Sequence, residues 1–206
     1  PATRLLYLGF GSGILFIGGM LLGAKEAYAV DIEENATRIA KENAAENHLN
    51  PENYTISCGN IISDETLRQE IGSGYDVITA NIVADVIKGM APLFPGFLKD
   101  NGILILSGII TERADEVLDT VTAYDFAVLE RREASGWCAV KLQKLAGAGT
   151  SCDTVRKSAM ELLQLEYFYA VAQNQHMTRT AEQLHIAQPS LTQSTVSYTH
   201  LTLPTN

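Results

Sequence analysis

The chain is 206 residues long and 46% apolar, enough to bury a sizeable core and incompatible with a disordered, collagen-like or fibrous protein. Its formal net charge of -9 gives the whole chain no basic footprint for nucleic acid or an anionic membrane surface. The charge is uneven: residues 1–144 carry 12 Lys and Arg against 20 Asp and Glu, residues 145–206 carry 3 against 4, and three of the four histidines (His176, His185, His200) fall in the second part, so the two parts are read separately.

Residues 4–8 form a short apolar run ending in Gly9-Phe10-Gly11-Ser12-Gly13, and residues 14–22 follow as an apolar helix closed by Gly23. The apolar run over 14–24 holds three glycines and is followed at once by Lys25 and Glu26, too short and too interrupted for a membrane span. Residues 26–31 read as a second apolar strand ending in an acid, and residues 34–47 as a helix with Ala36, Ile39, Ala40 and Ala44 on one face. Residues 54–58 alternate as a strand, residues 64–71 form a short helix with Asp64 as N-cap, and residues 75–80 are a buried strand running into Asn81. Residues 85–98 predict a helix interrupted near Pro92 and Pro95; Asp100-Asn101-Gly102 a turn; residues 103–107 a strand; residues 111–123 a helix. Two last strands, 126–132 and 136–143, are joined by residues 133–135 as a hairpin, which requires antiparallel pairing.

Five strand–helix units and a terminal hairpin predict a Rossmann-like, doubly wound α/β domain over residues 1–144, with a mostly parallel seven-stranded sheet and one antiparallel edge. From residue 145 to 159 the periodicity disappears into small and polar residues, as in a linker. From Met160 a new pattern begins: Leu162, Leu165, Phe168, Tyr169 and Ala172 share one helix face, residues 178–184 are a second short helix, and residues 188–194 start a third with Pro189 in its first turn. This predicts a small, truncated, all-α helix-turn-helix segment over 160–195, followed by a Thr-rich tail over 196–206. Cys58, Cys138 and Cys152 show no CxxC spacing, so neither a disulfide framework nor a metal site is expected, and a reduced, cytoplasmic setting fits best.

Gly9-x-Gly11-x-Gly13 lies directly between a predicted strand and a predicted helix, where a nucleoside-type cofactor meets backbone amides. Asp31 ends the next strand, placed to accept hydrogen bonds from ribose hydroxyls. The alternative for the glycines is a turn needed only for close strand–helix packing. Asn81 sits at the end of the fourth strand, at the sheet edge where open α/β folds bind ligands, or is merely a cap to that strand. Asp85 is either a polar contact near the substrate mouth or the N-cap of the following helix.

These residues resemble the class I S-adenosylmethionine-dependent methyltransferases. The strings GSGIL, LGAKEAYAVDI, AKENAAENHLN, GNIISD, ANIVADVI and LILSGII narrow the resemblance to the catalytic domain of the methyltransferases that modify ribosomal protein L11, over residues 1–144. The resemblance implies S-adenosylmethionine as cofactor and methylation of lysine or N-terminal amines of L11, with another protein or a small molecule as the alternative substrate. It implies Gly9, Asp31 and Asn81 as cofactor contacts, Gly11 and Gly13 as shapers of the same loop, and Asn60 as a neighbour of the adenine. The Asn81 side-chain carbonyl would accept a hydrogen bond from the target amine and align it, making Asn81 the catalytic residue. Three departures from the family pattern are visible. Tyr7 stands where the family has Asp, Phe10 takes a small or Cys position in the glycine loop, and the upstream segment with its cofactor-contacting Thr and substrate-recruiting domain is expected to be missing. Bulky Phe10 is expected to obstruct the cofactor and weaken its binding.

Residues 160–195 resemble the N-terminal helix-turn-helix of LysR-type transcriptional regulators, which implies Gln188, Ser190, Thr192 and Gln193 as the DNA contacts. Between Met160 and Thr195 only Arg179 is basic, against Glu161, Glu166 and Glu182, so DNA binding by this segment is not expected. A DNA-binding regulator carrying a non-functional Rossmann-like domain is the competing reading. Met160 reads as the start of a separate regulator gene, residues 145–159 as translated intergenic sequence and residues 196–206 as an artefactual adapter-derived tail. A monomer with no membrane association is expected.

Overall fold

The computed structural model describes residues 3–146. Seven strands are present there: β1 (Arg4–Leu8), β2 (Glu26–Asp31), β3 (Tyr54–Cys58), β4 (Tyr75–Asn81), β5 (Leu98–Ile110), β6 (Phe126–Ala134) and β7 (Trp137–Lys144). They form one sheet in the order β3-β2-β1-β4-β5-β7-β6. The first five are parallel, and β7 joins β5 and β6 antiparallel. Six helices connect them: α1 (Ile14–Leu21), α2 (Glu34–Glu46), α3 (Glu65–Ile71), α4 (Ala84–Met90), α5 (Phe94–Phe97) and α6 (Ala114–Thr122). This is the doubly wound α/β architecture with a terminal antiparallel hairpin that the alternation of elements predicts. The segments expected at 147–159, 160–195 and 196–206 lie outside the described residues.

Because side chains of a strand alternate between its two faces, the sheet separates two cores. Leu5 and Tyr7 of β1, Val77 of β4 and Ile103 and Ile105 of β5 pack with α1 and α2. Leu6 and Leu8, Ile78 and Ala80, and Leu104 and Leu106 face the opposite way and pack with α3 to α6. Both faces are covered, which is why the strands read as continuous apolar runs.

Tertiary structure corrects three local expectations and bears out a fourth. On α2 the buried positions are Ala36, Thr37, Ala40, Asn43 and Ala44, with Ile39 only half-buried, because Asn43 turns inward to bond the glycine loop. The helix predicted over 85–98 with an interruption near Pro92 and Pro95 is indeed broken around Pro92 into α4 and α5, with Pro95 in the first turn of α5. The predicted turn at Asp100-Asn101-Gly102 is an irregularity inside a longer β5: Asn101 takes φ +60, and pairing with β4 jumps from Tyr75–Leu98 to Val77–Ile103. Finally, the hairpin turns on two residues, Ser135 and Gly136, both at positive φ, the conformation that matches the twist of paired antiparallel strands.

Candidate functional site

Strand order reverses between β1 and β4, and ligands in open α/β sheets bind outside the carboxyl ends of the strands at this switch point. A cleft of about 280 Å³ lies there. Gly9 after β1, Asp31 at the end of β2, Asn60 after β3 and Asn81 at the end of β4 all line it, so four separate strand ends converge on one cavity. Its walls are apolar, with Ile61, Ile82, Val86 and Met90 among the lining residues.

The glycine loop is shaped by close approaches. Gly9 has φ +68, and a Cβ there would sit 2.3 Å from Cγ1 of Ile82 in the loop after β4, so only glycine lets the two loops touch. Gly11 donates its N–H to Asp31 Oδ2 at 2.8 Å, while Glu33 N–H donates to Asp31 Oδ1 at 3.1 Å. Asp31 thus braces the loop, a role not foreseen for it. A carboxylate offers about four acceptor positions, so two are left for a ligand diol. Gly13 precedes α1 at φ +82, and a Cβ on it would meet the Ala40 Cβ at 3.0 Å, so it serves loop-to-helix packing. Gly11 and Gly13 are absent from the cleft wall and act on its shape. From α2, Asn43 Nδ2 donates to the Ser12 carbonyl at 2.8 Å and ties the loop from behind.

Asn60 Oδ1 accepts from the Ile62 N–H at 2.9 Å, which fixes its side chain at the cleft wall before α3. Asn81 Oδ1 accepts from the Ser107 hydroxyl at 3.1 Å, a contact that joins the end of β4 to β5. Ser107 and Asn43 fall within the family-like strings LILSGII and AKENAAENHLN, but nothing in either string marks what they do. Both work through partners distant in the chain, and each reads locally only as a small polar residue in an otherwise apolar strand or helix face.

Asp85 is not the N-cap of α4. Val83 holds that position, and Asp85 sits in the first turn, where Arg113 grips its carboxylate with two nitrogens at 2.8 and 2.6 Å. Those hydrogen bonds pull the Asp85 carboxyl down to about 2. Arg113 also pairs with Glu116, and Lys88 lies 3.4 Å from both acids, forming an exposed network two residues beyond the cleft-lining Val83.

Phe10, expected to obstruct the cofactor, is not on the cleft wall. It is 5% exposed and belongs to the core under α1 and α2. Tyr7 is also buried there, edge-on to Phe16 at 6.1 Å between ring centroids. Room for it comes from Gly19, where a Cβ would approach the Tyr7 hydroxyl to 1.9 Å. Among the described residues no group of three or more His, Cys, Asp or Glu is arranged to hold a metal ion, and no helix is long and apolar enough to cross a membrane. Gln188, Ser190, Thr192 and Gln193 lie outside the described residues.

The family model for ribosomal protein L11 methyltransferase matches residues 1–145. The chain belongs to the ribosomal protein L11 methyltransferase family. Curated L11 methyltransferases of Agathobacter rectalis and Thermoanaerobacter pseudethanolicus are each 39% identical to it, over 145 and 144 residues. These alignments cover 70% of this chain but only 45% and 44% of the two relatives, so the chain spans less than half of their length. A solved L11 methylase from Lactobacillus delbrueckii subsp. bulgaricus superimposes with a TM-score of 0.64 at 25% identity, covering 71% of this chain and 72% of that one. An S-adenosylmethionine-dependent methyltransferase from Clostridium acetobutylicum shares the fold, with a TM-score of 0.58 at 12% identity, covering 71% and 85%. A second family model, that of bacterial regulatory helix-turn-helix proteins of the lysR family, matches residues 162–197.

Proposed function

We propose that this chain carries the catalytic domain of an S-adenosylmethionine-dependent protein N-methyltransferase acting on lysine or N-terminal amines of ribosomal protein L11. The observation that carries the reading is the convergence of Gly9, Asp31, Asn60 and Asn81 on one cleft at the switch point of the sheet, in a member of this family. The residues fit a nucleoside-type methyl donor. Gly9 opens the loop to close approach, Asp31 keeps acceptor positions for ribose hydroxyls, Asn60 and the apolar wall suit an adenine, and Gly11 and Gly13 hold the loop in shape. When bound, S-adenosylmethionine supplies an electrophilic sulfonium methyl, and the exchange leaves an N-methylated amine, S-adenosylhomocysteine and a proton. The protein's own task is alignment: the amine must be neutral, and Asn81 would accept its N–H and point the nitrogen lone pair at the methyl group. Orientation of this kind accounts for much of the rate in a direct displacement.

Methyl transfer from labelled S-adenosylmethionine to purified L11 tests this. Label in L11 is expected, together with a loss of about 100-fold or more in the transfer rate of Asn81→Ala measured at saturating S-adenosylmethionine. Cofactor binding without transfer to L11 points to a class I methyltransferase with another protein or small-molecule substrate. No binding in calorimetry overturns the reading.

We read the protein as cytoplasmic and monomeric; free Cys58 and Cys138 suit a reducing compartment. The match at 162–197 supports a second, separate reading of that segment as a LysR-type helix-turn-helix. With Arg179 as the single basic residue between Met160 and Thr195, no band shift on DNA is expected. A shift without cofactor crosslinking would favour the regulator reading.

A further inference from the structure

We infer that Ser107, together with the glycine that follows it, is a positioning residue that sets the orientation of the Asn81 side chain toward the cleft. The inference rests on the methyltransferase reading for its functional meaning, and on three separate structural observations for its geometry.

Asn81, the last residue of β4, and Ser107, three residues before the end of β5, are in-register partners on parallel strands, so their side chains stand side by side about 4.8 Å apart across the ladder. Ser107 is 7% exposed, one of few buried polar residues among the described ones, and a buried hydroxyl must find a partner. It finds Asn81 Oδ1 at 3.1 Å. The backbone repeats the connection, with Ile82 N–H donating to the Ser107 carbonyl at 3.1 Å.

Immediately after Ser107 the strand is bulged. On the β7 side Leu106 pairs with Val140 and Ile109 with Cys138, so Ser107 and Gly108 together oppose Ala139 alone. Gly108 takes φ +77, and the alternation of β5 changes parity there: Leu104 and Leu106 lie in the core under α3 to α6, and so does Ile109. Bulges next to functional sites commonly re-aim a side chain or end a ladder. Here the bulge also removes a side chain, since a Cβ on Gly108 would lie 2.9 Å from Asn81 Oδ1 and 3.0 Å from the Ile82 nitrogen. Any residue other than glycine would press on the amide that Ser107 holds.

The terminal torsion of a free asparagine is broad and roughly two-fold, so an unsupported amide at a strand end samples many orientations. A donated hydroxyl proton occupies one of the two lone pairs of Oδ1 and leaves the second, in a fixed amide plane, for an amine N–H. Ser107 therefore acts on the reaction only through Asn81.

The side-chain amide signals of Asn81, assigned by their loss in Asn81→Ala, report the geometry directly in the full chain by nitrogen–proton NMR. In Ser107→Ala these signals are expected to shift and broaden while backbone amides elsewhere keep their positions, and in Ser107→Thr, which retains the hydroxyl, they are expected to stay near the wild-type values. In methyl transfer, Ser107→Ala is expected to lower kcat ~10–100-fold with cofactor affinity within about twofold of wild type, and Ser107→Thr to restore most of the rate. Unmoved Asn81 signals in Ser107→Ala overturn the inference. So does a wild-type kcat in Ser107→Ala when Asn81→Ala is inactive. If the wild-type chain transfers no methyl group, the functional reading falls, while the NMR comparison still decides whether Ser107 positions Asn81.

Discussion

The two faces of the sheet meet the same loop and treat it differently. On the face covered by α1 and α2, the loop and its strand present Tyr7 and Phe10, large side chains that are buried at 2% and 5% exposure and belong to the core there. On the face of α4, the loop presents backbone, Gly9, to a cleft whose polar lining includes Asp31, Glu33, Asn60 and Asn81. Bulk that would close the cleft is absorbed by the opposite core, because positive φ at Gly9 and Gly11 turns the intervening side chain away from the ligand side. A position in the glycine loop can thus hold a large side chain when its Cβ points into the core, and is confined to glycine when it points at the neighbouring loop.

This contrast is sharpest in a matched pair of variants. Phe10→Ala should cost about 3–5 kcal/mol in urea unfolding, the range for emptying a buried phenylalanine site, while the calorimetric affinity for S-adenosylmethionine stays within about twofold. Gly9→Ala should reverse the pattern. The loop must move away from Ile82 Cγ1, 2.3 Å from the new methyl group, and cofactor affinity should fall ~10-fold or more, with a stability loss of about 1–2 kcal/mol from the positive φ. A Phe10→Ala variant that loses affinity and keeps its stability would break the comparison.

A smaller effect tests how the α1 face makes room for tyrosine. Gly19→Ala should destabilise by about 1–3 kcal/mol, since the added methyl would stand 1.9 Å from the Tyr7 hydroxyl within a filled core. In a Tyr7→Phe background the nearest atoms become Leu5 Cδ1 at 3.0 Å and the Tyr7 ring carbon at 3.1 Å, so the cost should shrink without vanishing. Tyr7→Phe carries its own cost, which a double-mutant cycle subtracts, and a coupling energy of about 1 kcal/mol is expected. Additive effects would mean that Gly19 is not where the hydroxyl is accommodated.

Smaller still is the link between the faces. Asn43 lies on α2, outside the cleft wall, yet its bond to the Ser12 carbonyl steadies the glycine loop. Asn43→Ala should cost about 1 kcal/mol of stability and weaken cofactor binding a few-fold, measured side by side by chemical unfolding and calorimetry.

Much of this arrangement is legible in the chain because it is local. The apolar runs of β1 to β5, the glycines after the first, and acidic or amide residues at strand ends mark the sheet and its carboxyl edge without any knowledge of pairing. What is not legible depends on partners far along the chain. The inward turn of Asn43 rests on a carbonyl 31 residues away, and Asp85 looks like a helix cap until Arg113, 28 residues on, is seen to hold it. Phe10 reads as an obstruction because the direction of a side chain between two glycines follows from their φ angles, which composition does not show. Ser107 is hidden for the same reason, since its role depends on a bulge against β7 that exists only once the hairpin has docked.

The exposed Asp85–Arg113 pair gives the smallest effect, and its sign is definite. Because hydrogen bonds from Arg113 hold the folded-state carboxyl down at about 2, against ~3.9 in an unfolded chain, the pair contributes its stability fully above that unfolded value and loses it as pH falls toward 2. A carbon-13 NMR titration of the Asp85 carboxyl should therefore show a midpoint near 2 in the wild type and close to the unfolded value in Arg113→Gln, where Lys88 at 3.4 Å is the remaining cationic partner. Solvent screening should keep Asp85→Asn nearly neutral for stability at pH 7, and added salt should erase the residual difference. A large, salt-resistant loss would show instead that this network anchors α4 beneath the cleft, and the contrast between a packed face and a lightly held cleft rim would have to be redrawn.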